Sequence, residues 1–323
     1  AVMALTLALG GTVAAAEVEV LLEDLDHPCG AVVQPETGHV FFAESGAGRV
    51  MRFREGQARE VIVGFETATW ELDPAYQVGP LGLAFLDENS LLVGEGGLAE
   101  GKDQVRVFQS PAVIVKPLNA AQATTGLALA STEDAVGEGE FHGLAISRQI
   151  VFAVSRGDAD KEWVSRARLA NGTGSQLERF VATRPAAGVG SPRAITTSPR
   201  GELVVGQMGD TTTPGDSVLT FYNAASGQLL LNLAIGLHDV SALAYSPKDQ
   251  LYAADLAWQA DDAGGVYQIV AALVEGRQVA QAKKIIALQR PTAMRFARDG
   301  TLYVTTAGNA PKSGQLVKIS LDQ

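Results

Sequence analysis

A unit of two short apolar strands joined by a tight turn occurs six times along this chain, and it restricts the possible folds more than any other feature. In the last copy the strands are Thr292–Ala297 and Thr301–Thr305, with Asp299 and Gly300 at the turn. The repeats begin at Pro28, Pro80, Phe141, Pro192, Val240 and Pro291, which lie 52, 61, 51, 48 and 51 residues apart. Four short strands fill a period of this length, as in one blade of a β-propeller. We therefore predict an all-β fold, a six-bladed β-propeller of four-stranded blades.

The two ends of the chain predict how the propeller closes. The last repeat offers three strands, the third at Gln315–Leu321, while the strand Glu17–Leu25 stands alone before the first repeat. We expect Val18–Leu22 to pair with Leu316–Ile319 as the outer strand of the last blade. Closure of this kind removes an open sheet edge that would otherwise recruit another chain.

The second repeat interval is the longest, and the segment Leu118–Gly139, rich in Ala, Thr and Glu, accounts for the excess. This segment is too short to hold a further blade, so we interpret it as an insertion. Two segments remain candidates for the outer strand of the second blade, namely Val113–Val115 and Leu127–Ala130.

The first 16 residues have the pattern of a secretory signal peptide. They carry no charge, are mostly apolar, and end in small residues that suit cleavage near Ala16. The run is shorter than the roughly 20 residues that a membrane-spanning helix needs, which argues against the alternative of a membrane anchor. We therefore expect residues 1–16 to be a signal peptide and residues 17–323 to be a single extracytoplasmic domain, periplasmic or secreted, with no membrane span.

Charge and cysteine content restrict the partners and the means of stabilisation. The formal net charge of −11 argues against nucleic acid as a partner, because phosphates require a basic surface. It mildly favours cations, although a solvated acidic surface is the simpler explanation. The single cysteine, Cys29, can form no intramolecular disulfide, and we expect a buried, unreactive thiol. We also expect a monomer.

The loops distinguish one face of the predicted propeller from the other. Connections from the first to the second strand of a blade are short, as at Pro35–Gly38, whereas those from the second to the third are longer, as at Gln207–Asp216 and Asp255–Gly264. Long loops in a compact domain usually carry function. Because the longer loops share a face with the starts of the innermost strands, we expect a small molecule or a protein partner to bind on this long-loop face.

Aligning the repeats places charged side chains in two rings at the channel mouth on the long-loop face. One ring precedes the repeats and the other ends their second strands; these rings and nearby arginines supply the candidate ligand-binding residues Glu44, Glu95, Glu140, Arg193, Asp239, Asp255 and Arg290. Carboxylates held close together raise one another's pKa or require a cation, and oxygen-rich clusters suit calcium. Glu44, Glu95 and Asp255 are therefore the candidate metal ligands, with calcium (Ca2+) as the candidate cofactor. Two alternatives remain: the carboxylates end strands by bonding to neighbouring backbone, or Arg193 and Arg290 neutralise them.

The repeat consensus itself has a familiar form. Pro-x-Gly/Ala-Leu-Ala-Phe followed by Gly-x-Leu-Tyr-Val-x-Asp/Glu resembles the blade of NHL-repeat and SMP-30/gluconolactonase-like six-bladed propellers, over residues 17–323. The resemblance implies the fold, and its relatives include calcium-dependent lactonases, streptogramin lyases, quinone-dependent sugar dehydrogenases and binding modules. The lactonases carry a metal-binding glutamate where the first innermost strand begins, and in this chain His27 occupies the nearest place.

Several functions remain open from the sequence. Because no complete catalytic constellation is evident, we predict a propeller that binds a small molecule or a protein partner without catalysis. The alternative is an enzyme, either a calcium-dependent lactonase or other hydrolase, a lyase or a sugar-oxidising enzyme, with His27 or His142 as the candidate catalytic base. A structural role through the flat sides of the blades is a third possibility. Whether the acidic rings point into one pocket discriminates the first two.

Overall fold

The chain folds into a six-bladed β-propeller, as the repeat predicts. The computed structural model describes residues 16–71, 75–109, 116–157, 161–170, 173–174, 176–274 and 277–321. Within these ranges strands dominate, and the only helices are the short α1 (Thr183–Ala187) and two single 3₁₀ turns at Ala120–Gln122 and Asp261–Ala263. The fold class predicted from the repeat, all-β with four-stranded antiparallel blades, is confirmed.

The strands are numbered in chain order. In the first half of the chain they are β1 (Glu17–Leu25), β2 (Pro28–Val33), β3 (Val40–Glu44), β4 (Arg49–Arg54), β5 (Gln57–Val63), β6 (Ala68–Trp70), β7 (Tyr76–Val78), β8 (Pro80–Phe85), β9 (Ser90–Glu95), β10 (Gln104–Gln109), β11 (Leu118–Asn119), β12 (Thr125–Ala128), β13 (Gly139–Ser147) and β14 (Ile150–Arg156). In the second half they are β15 (Trp163–Ala170), β16 (Thr173–Gly174), β17 (Glu178–Ala182), β18 (Pro192–Thr197), β19 (Leu203–Gln207), β20 (Val218–Tyr222), β21 (Leu229–Ala234), β22 (Val240–Tyr245), β23 (Leu251–Asp255), β24 (Gly265–Val274), β25 (Arg277–Ala287), β26 (Pro291–Phe296), β27 (Leu302–Thr306) and β28 (Gly314–Ser320).

Five blades take their strands in chain order from the innermost to the outermost, and the sixth has β1 as its outermost strand. The six orders are β2-β3-β4-β5, β8-β9-β10-β12, β13-β14-β15-β17, β18-β19-β20-β21, β22-β23-β24-β25 and β26-β27-β28-β1. The outer strand of the second blade, β12, overlaps the predicted candidate Leu127–Ala130, while the other candidate, Val113–Val115, lies outside the described residues. The inserted segment also contributes β11, which pairs in parallel with β5 of the first blade.

β1 lies along the outer edge of the last blade. It pairs antiparallel with β28, with Val18 opposite Ile319 and Leu22 opposite Leu316. Leu25 at its end is buried in a hydrophobic cluster that joins the last blade to the first. The last sheet therefore has four strands, like the others, although its strands come from both ends of the chain.

The hydrophobic core is divided among the interfaces between neighbouring blades. Among the described residues, six clusters each combine side chains from two adjacent blades. Phe41 of the first blade meets Phe85 of the second with ring centroids 5.1 Å apart, and Tyr252 of the fifth meets Phe296 of the sixth at 5.1 Å. Because both faces of a blade are covered, the inner strands read as continuous apolar runs; all six residues of β9 are buried.

An irregularity in strand pairing occurs close to the start of the innermost strand in each of the six blades. A β-bulge of this kind leaves one residue out of the ladder and turns its side chain away from the regular alternation. In the first blade the residue left out is Gly30. In the last three blades the residue left out is Arg193, Ser241 or Thr292. Each is the second residue of its repeat.

The predicted signal peptide cannot be compared with the structure, because residues 1–15 lie outside the described residues. No helix in the described ranges combines the length and the apolar character that crossing a membrane requires.

Candidate active site at the channel mouth

The second residues of the six repeats occupy equivalent positions near the start of the innermost strands. We call this set the bulge ring; it consists of Cys29, Leu81, His142, Arg193, Ser241 and Thr292. The residue before the repeat has a positive φ in four of the six blades, namely 47° at His27, 52° at Glu140, 60° at Ser191 and 48° at Arg290. This left-handed turn followed by a bulge directs the next side chains towards the channel mouth rather than into the blade.

The innermost strands that carry the ring approach one another closely. A Cβ atom on Gly82 would lie 2.6 Å from the carbonyl oxygen of His142, and one on Gly143 would lie 2.7 Å from the carbonyl oxygen of Arg193. Glycine is therefore required at both positions, since any side chain there would push the neighbouring strand away. The close packing holds His142 and Arg193 side by side.

A cavity of about 410 Å³ opens at this mouth. Four members of the bulge ring line it, namely His142, Arg193, Ser241 and Thr292. The loop from Met208 to Asp216, which joins the second and third strands of the fourth blade, contributes to its wall. The cavity therefore lies on the long-loop face.

The aromatic wall of the cavity comes from two connections. The hairpin β6–β7, between the first and second blades, carries Trp70 directly opposite Tyr76. Trp258, from a long loop of the fifth blade, meets Tyr76 edge to face with ring centroids 5.7 Å apart, and Trp70 lies 5.3 Å from the ring of His142. Tyr76 also approaches the buried Cys29, its hydroxyl 3.6 Å from the thiol sulfur. The aromatic side chains form a wall around the polar pair described next.

Arg193 contacts His142 inside this wall. The Nη2 atom of Arg193 lies 3.2 Å from Nε2 of His142. Since a guanidinium has only donors, Arg193 donates and His142 accepts at Nε2, which places the imidazole proton on Nδ1. The guanidinium also stacks on Trp70, 4.6 Å from the ring centroid. Within the described part of the chain, Arg193 forms no ion pair.

The surroundings keep His142 uncharged. Burial lowers the pKa of His142 well below its ordinary value of 6.5, and the neighbouring cations Arg193 and Arg156 lower this pKa further. Burial also lowers the pKa of Arg193, but an arginine side chain stays protonated in proteins. The neutral imidazole can accept a proton, and the permanent cation of Arg193 can stabilise an anion that forms next to it.

The acidic residues that end the second strands do not face the cavity as a group. Glu44 accepts from Nε of Arg49 at 2.7 Å and from the backbone nitrogen of Asp26 at 2.9 Å. Glu95 pairs with Nε of Arg106 at 2.7 Å. Both carboxylates are buried, and each ties its strand to an arginine of the neighbouring third strand. Arg49 and Arg106, rather than Arg193 and Arg290, therefore neutralise Glu44 and Glu95.

Asp239 and Asp255 hold the backbone of the fifth blade. Asp255 accepts from the backbone nitrogen atoms of His238 and Asp239 at 3.0 and 2.8 Å. Asp239 accepts from the backbone nitrogen of Trp258 at 2.6 Å. Both carboxylates are buried. They shape the cavity by fixing the loop that presents Trp258.

Glu140 is the predicted acidic residue that reaches the cavity wall. Its Oε1 accepts from the indole Nε1 of Trp70 at 2.8 Å, and its Oε2 lies 3.8 Å from Nη1 of Arg156. Burial raises the pKa of Glu140, and the cation of Arg156 opposes that rise. Glu140 therefore anchors the interblade hairpin, through Trp70, to the third blade.

His27 and Arg290 lie behind the aromatic wall. The ring of His27 meets Tyr76 at 4.9 Å, and its Nδ1 is 2.8 Å from a carboxylate oxygen of Asp26. Arg290 stacks on Trp258 at 4.4 Å and donates to its carbonyl oxygen at 3.1 Å. Neither residue lines the cavity. Of the two candidate bases, the structure places His142 in the cavity.

The candidate calcium ligands are not brought together. Among the residues that the structure describes, no group of three or more His, Cys, Asp or Glu side chains is arranged to hold a metal ion. Glu44, Glu95 and Asp255 use their oxygens on arginines or backbone N–H groups instead. These residues do not fit a calcium site, and no step proposed below passes through that metal.

Asp239 predicts how stability depends on pH. Burial raises the pKa of Asp239 from 3.8 to about 6, although the N–H of Trp258 opposes the shift. Because the folded state then holds the proton more tightly than the unfolded state, this contribution to stability is fully present below about pH 4 and is lost as the pH rises through about 6. The loss is on the order of 2–3 kcal/mol.

Asp239→Asn removes the charge and should therefore melt above the wild type at about pH 8 and close to it at about pH 4.5. Thermal unfolding at both pH values tests this expectation. Asp249→Asn, at an exposed turn of the same blade, is the matched control and should show no such difference. A gap between Asp239→Asn and wild type that is the same at both pH values would contradict the expectation.

Fold and cavity together define a class: a six-bladed β-propeller with a cavity of about 410 Å³ at one mouth of its channel. No protein-family profile and no curated protein matches the chain by sequence. Solved structures are similar along almost its whole length. A gluconolactonase from Xanthomonas campestris is 14% identical over 98% of this chain and 94% of that chain, with a TM-score of 0.63.

Two sugar-oxidising propellers are similar to the same extent. A glucose dehydrogenase is 16% identical over 95% of this chain and 100% of that one, with a TM-score of 0.63. The PQQ-bound aldose sugar dehydrogenase from Streptomyces coelicolor is 13% identical over 95% and 98%, with a TM-score of 0.59. At these identities the similarity establishes the fold, and the resemblance predicted from the repeat consensus is confirmed at that level.

Proposed function

We propose that the protein is an enzyme that acts on a small organic molecule in the channel-mouth cavity, with His142 as its general base. The observation that carries the proposal is the contact of a neutral His142 with the cation of Arg193 inside an aromatic wall. This is the enzyme alternative of the sequence analysis rather than the non-catalytic binder. The similarity to gluconolactonase and glucose dehydrogenase propellers supports that choice.

Hydrolysis of a small ester or lactone is the reaction that these groups support best. His142 takes a proton from water at Nε2 while the water oxygen bonds to the carbonyl carbon. The cations Arg193 and Arg156 stabilise the negative charge that develops on the carbonyl oxygen. When the tetrahedral anion collapses, the bond to the leaving oxygen breaks and that oxygen receives the proton from His142. The product is an acid and an alcohol, joined in one molecule when the substrate is a lactone.

A turnover screen with a pH profile tests this function. Esters and lactones, with and without a charged group, are offered to the purified protein and acid release is followed. Because the pKa of His142 is lowered, kcat/KM should stay level as the pH falls from about 8 through 6.5 and should decline only below that. Absence of turnover on the whole panel, or a decline that begins above pH 6.5, would contradict the proposal.

Sugar oxidation is the second candidate. The specific observation in its favour is that Arg156, Arg184 and Arg193 line one cavity together with the flat rings of Trp70 and Trp258. PQQ is a planar tricarboxylate, and these residues are the ones that would hold it. When bound, PQQ would supply the two-electron acceptor for the sugar. Titration with PQQ, followed by its absorbance and by tryptophan quenching, tests binding separately from activity.

A further inference from the structure

We infer that the cavity selects molecules that carry a carboxylate. This carboxylate accepts the hydrogen bond that Arg193 now donates to His142. Nε2 of His142 is therefore free to act as a base only when such a molecule is bound. The role of His142 in this inference rests on the proposed function. The selection of a carboxylate does not, because it depends on Arg193 alone.

Arg193 lacks the direct ion pair that three other arginines of this propeller have. Arg49 pairs with Glu44 and Arg106 with Glu95, each at 2.7 Å, and Arg290 has Asp261 at 3.7 Å. Arg193, by contrast, forms one hydrogen bond to a neutral imidazole and one stacking contact with Trp70, and within the described residues it forms no ion pair. The carboxylate of Glu140 attracts this cation only from beyond ion-pair distance, so an anion supplied by a ligand could pair with Arg193 directly.

Two further arginine side chains line the same cavity, and each lies near a carboxylate without a close contact to it. Arg156 lies 3.8 Å from Glu140 and Arg184 lies 3.9 Å from Glu162, and both distances exceed those of a hydrogen bond. The side chain of Arg156 also lies 5.3 Å from the ring of Trp70, on which Arg193 stacks. Planar guanidinium groups present paired N–H donors that match a carboxylate.

The two aspartates that line the cavity, Asp210 and Asp216, form no ion pair with these arginines in the described part of the chain. Asp216 accepts from the backbone nitrogen of Asp210 at 2.9 Å, and Asp210 accepts from Thr212 at 2.7 and 2.9 Å. Their hydrogen bonds shape the loop of the fourth blade. In a chain with a net charge of −11, the cavity wall carries three arginines against two aspartates, and this local excess of positive charge favours an anionic ligand.

The release of His142 follows from the competition for one donor. Nε2 of His142 holds the only free lone pair of the neutral ring, and Arg193 now donates to it at 3.2 Å. A carboxylate is a stronger acceptor for a guanidinium than a neutral imidazole is, because it carries a full negative charge and can accept two parallel N–H bonds. An anionic ligand therefore draws the N–H away and leaves Nε2 able to accept a proton. An uncharged molecule leaves the pair in contact.

Matched pairs of acids and amides test the selection by binding alone. Benzoate against benzamide and lactate against lactamide are titrated while the fluorescence of Trp70 and its neighbours is followed. We expect each acid to bind about tenfold tighter than its amide or more, and we expect added salt to reduce the difference.

Variants of Arg193 assign that preference to its guanidinium. Arg193→Met should weaken acid binding roughly tenfold to hundredfold and leave amide binding almost unchanged. Arg193→Lys keeps the positive charge but lacks the paired N–H donors, so it should retain part of the preference for acids. It also serves as a second test if Arg193→Met does not fold. Arg200→Met, at an exposed turn of the same blade, is the matched control and should retain all of it.

Equal affinity for acids and amides, or an unchanged acid preference in Arg193→Met, overturns the inference. Tight binding of PQQ without any acid–amide difference also overturns it, because the arginine then serves a cofactor. A clear acid preference without turnover of any ester or lactone sustains the selection and contradicts the proposed function. Turnover of uncharged lactones with the same kcat/KM as carboxylate-bearing ones overturns the release of His142.

Discussion

Replacing His142 by asparagine should lower kcat by a factor of about 10²–10⁴ on any substrate that the wild type turns over, because a positioned general base contributes an effect of this size. Asparagine keeps an amide near the position of the imidazole and can still contact Arg193, but it cannot accept a proton at neutral pH. KM should change far less than kcat, since substrate binding depends on the arginines and the aromatic wall. Steady-state kinetics with both constants resolved is the measurement.

His39 supplies the control for this substitution. It lies at the short-loop end of the first blade, and the arginines near it, Arg52 and Arg54, are not those of the cavity. His39→Asn should therefore retain wild-type kcat, while circular dichroism and melting temperature confirm that His142→Asn is folded. If His142→Asn kept more than about a tenth of wild-type kcat, general-base catalysis by this residue would be ruled out.

Removing β1 should have the largest effect on stability. A chain that begins at Asp26 loses the whole outer strand of the last blade, including the buried Leu25 and the partly buried Leu21 and Leu22. Burial of one leucine contributes about 1.5–3 kcal/mol, so the total loss is about 4 kcal/mol or more. We expect the melting temperature to fall by roughly 10 °C. Differential scanning calorimetry measures it directly.

The truncation should also leave the edge of β28 unpaired, which favours association between chains, and light scattering at increasing concentration would report it. Val18→Thr combined with Val20→Thr is the matched control, because both side chains are exposed and the strand remains. This control should melt close to the wild type. A truncated chain that melts within about two degrees of the wild type would show that β1 has no part in closing the propeller.

The architecture could be predicted from the sequence because its signal is local and repeated. Each blade places the same apolar strands around the same short turn, and the strands predicted in the last repeat, Thr292–Ala297 and Thr301–Thr305, agree with β26 and β27 to within one residue at each end. The partner of Glu44 was within reach as well, since Arg49 faces it directly across the hairpin of β3 and β4. A cross-strand pair of opposite charge is the simplest explanation of such an acidic strand end.

The site was harder to predict for two physical reasons. The bulges shift the residue that faces the channel mouth, so the rings read from strand ends contain Asp239 and Arg290 but not Ser241 or Thr292. A bulge depends on backbone conformation, and no residue type common to the six second positions marks it. The hairpin that carries Trp70 and Tyr76 occurs once, between blades, so repeat alignment could not assign it a place.

The bulge ring contains both positions that bond one blade to the next and positions that determine the chemistry of the cavity. In the described part of the chain, the side chains of His142 and Arg193 make no hydrogen bond to the next blade's innermost backbone, whereas Ser241 and Thr292 donate to the carbonyl oxygens of Pro291 and Pro28. The chemistry at His142 and Arg193 can therefore change without breaking a hydrogen bond between blades, whereas Cys29 and Leu81 are buried in a hydrophobic cluster. A library randomised at His142 and Arg193 should stay mostly folded and yet span several reaction types, which makes this pair a natural starting point for directed evolution.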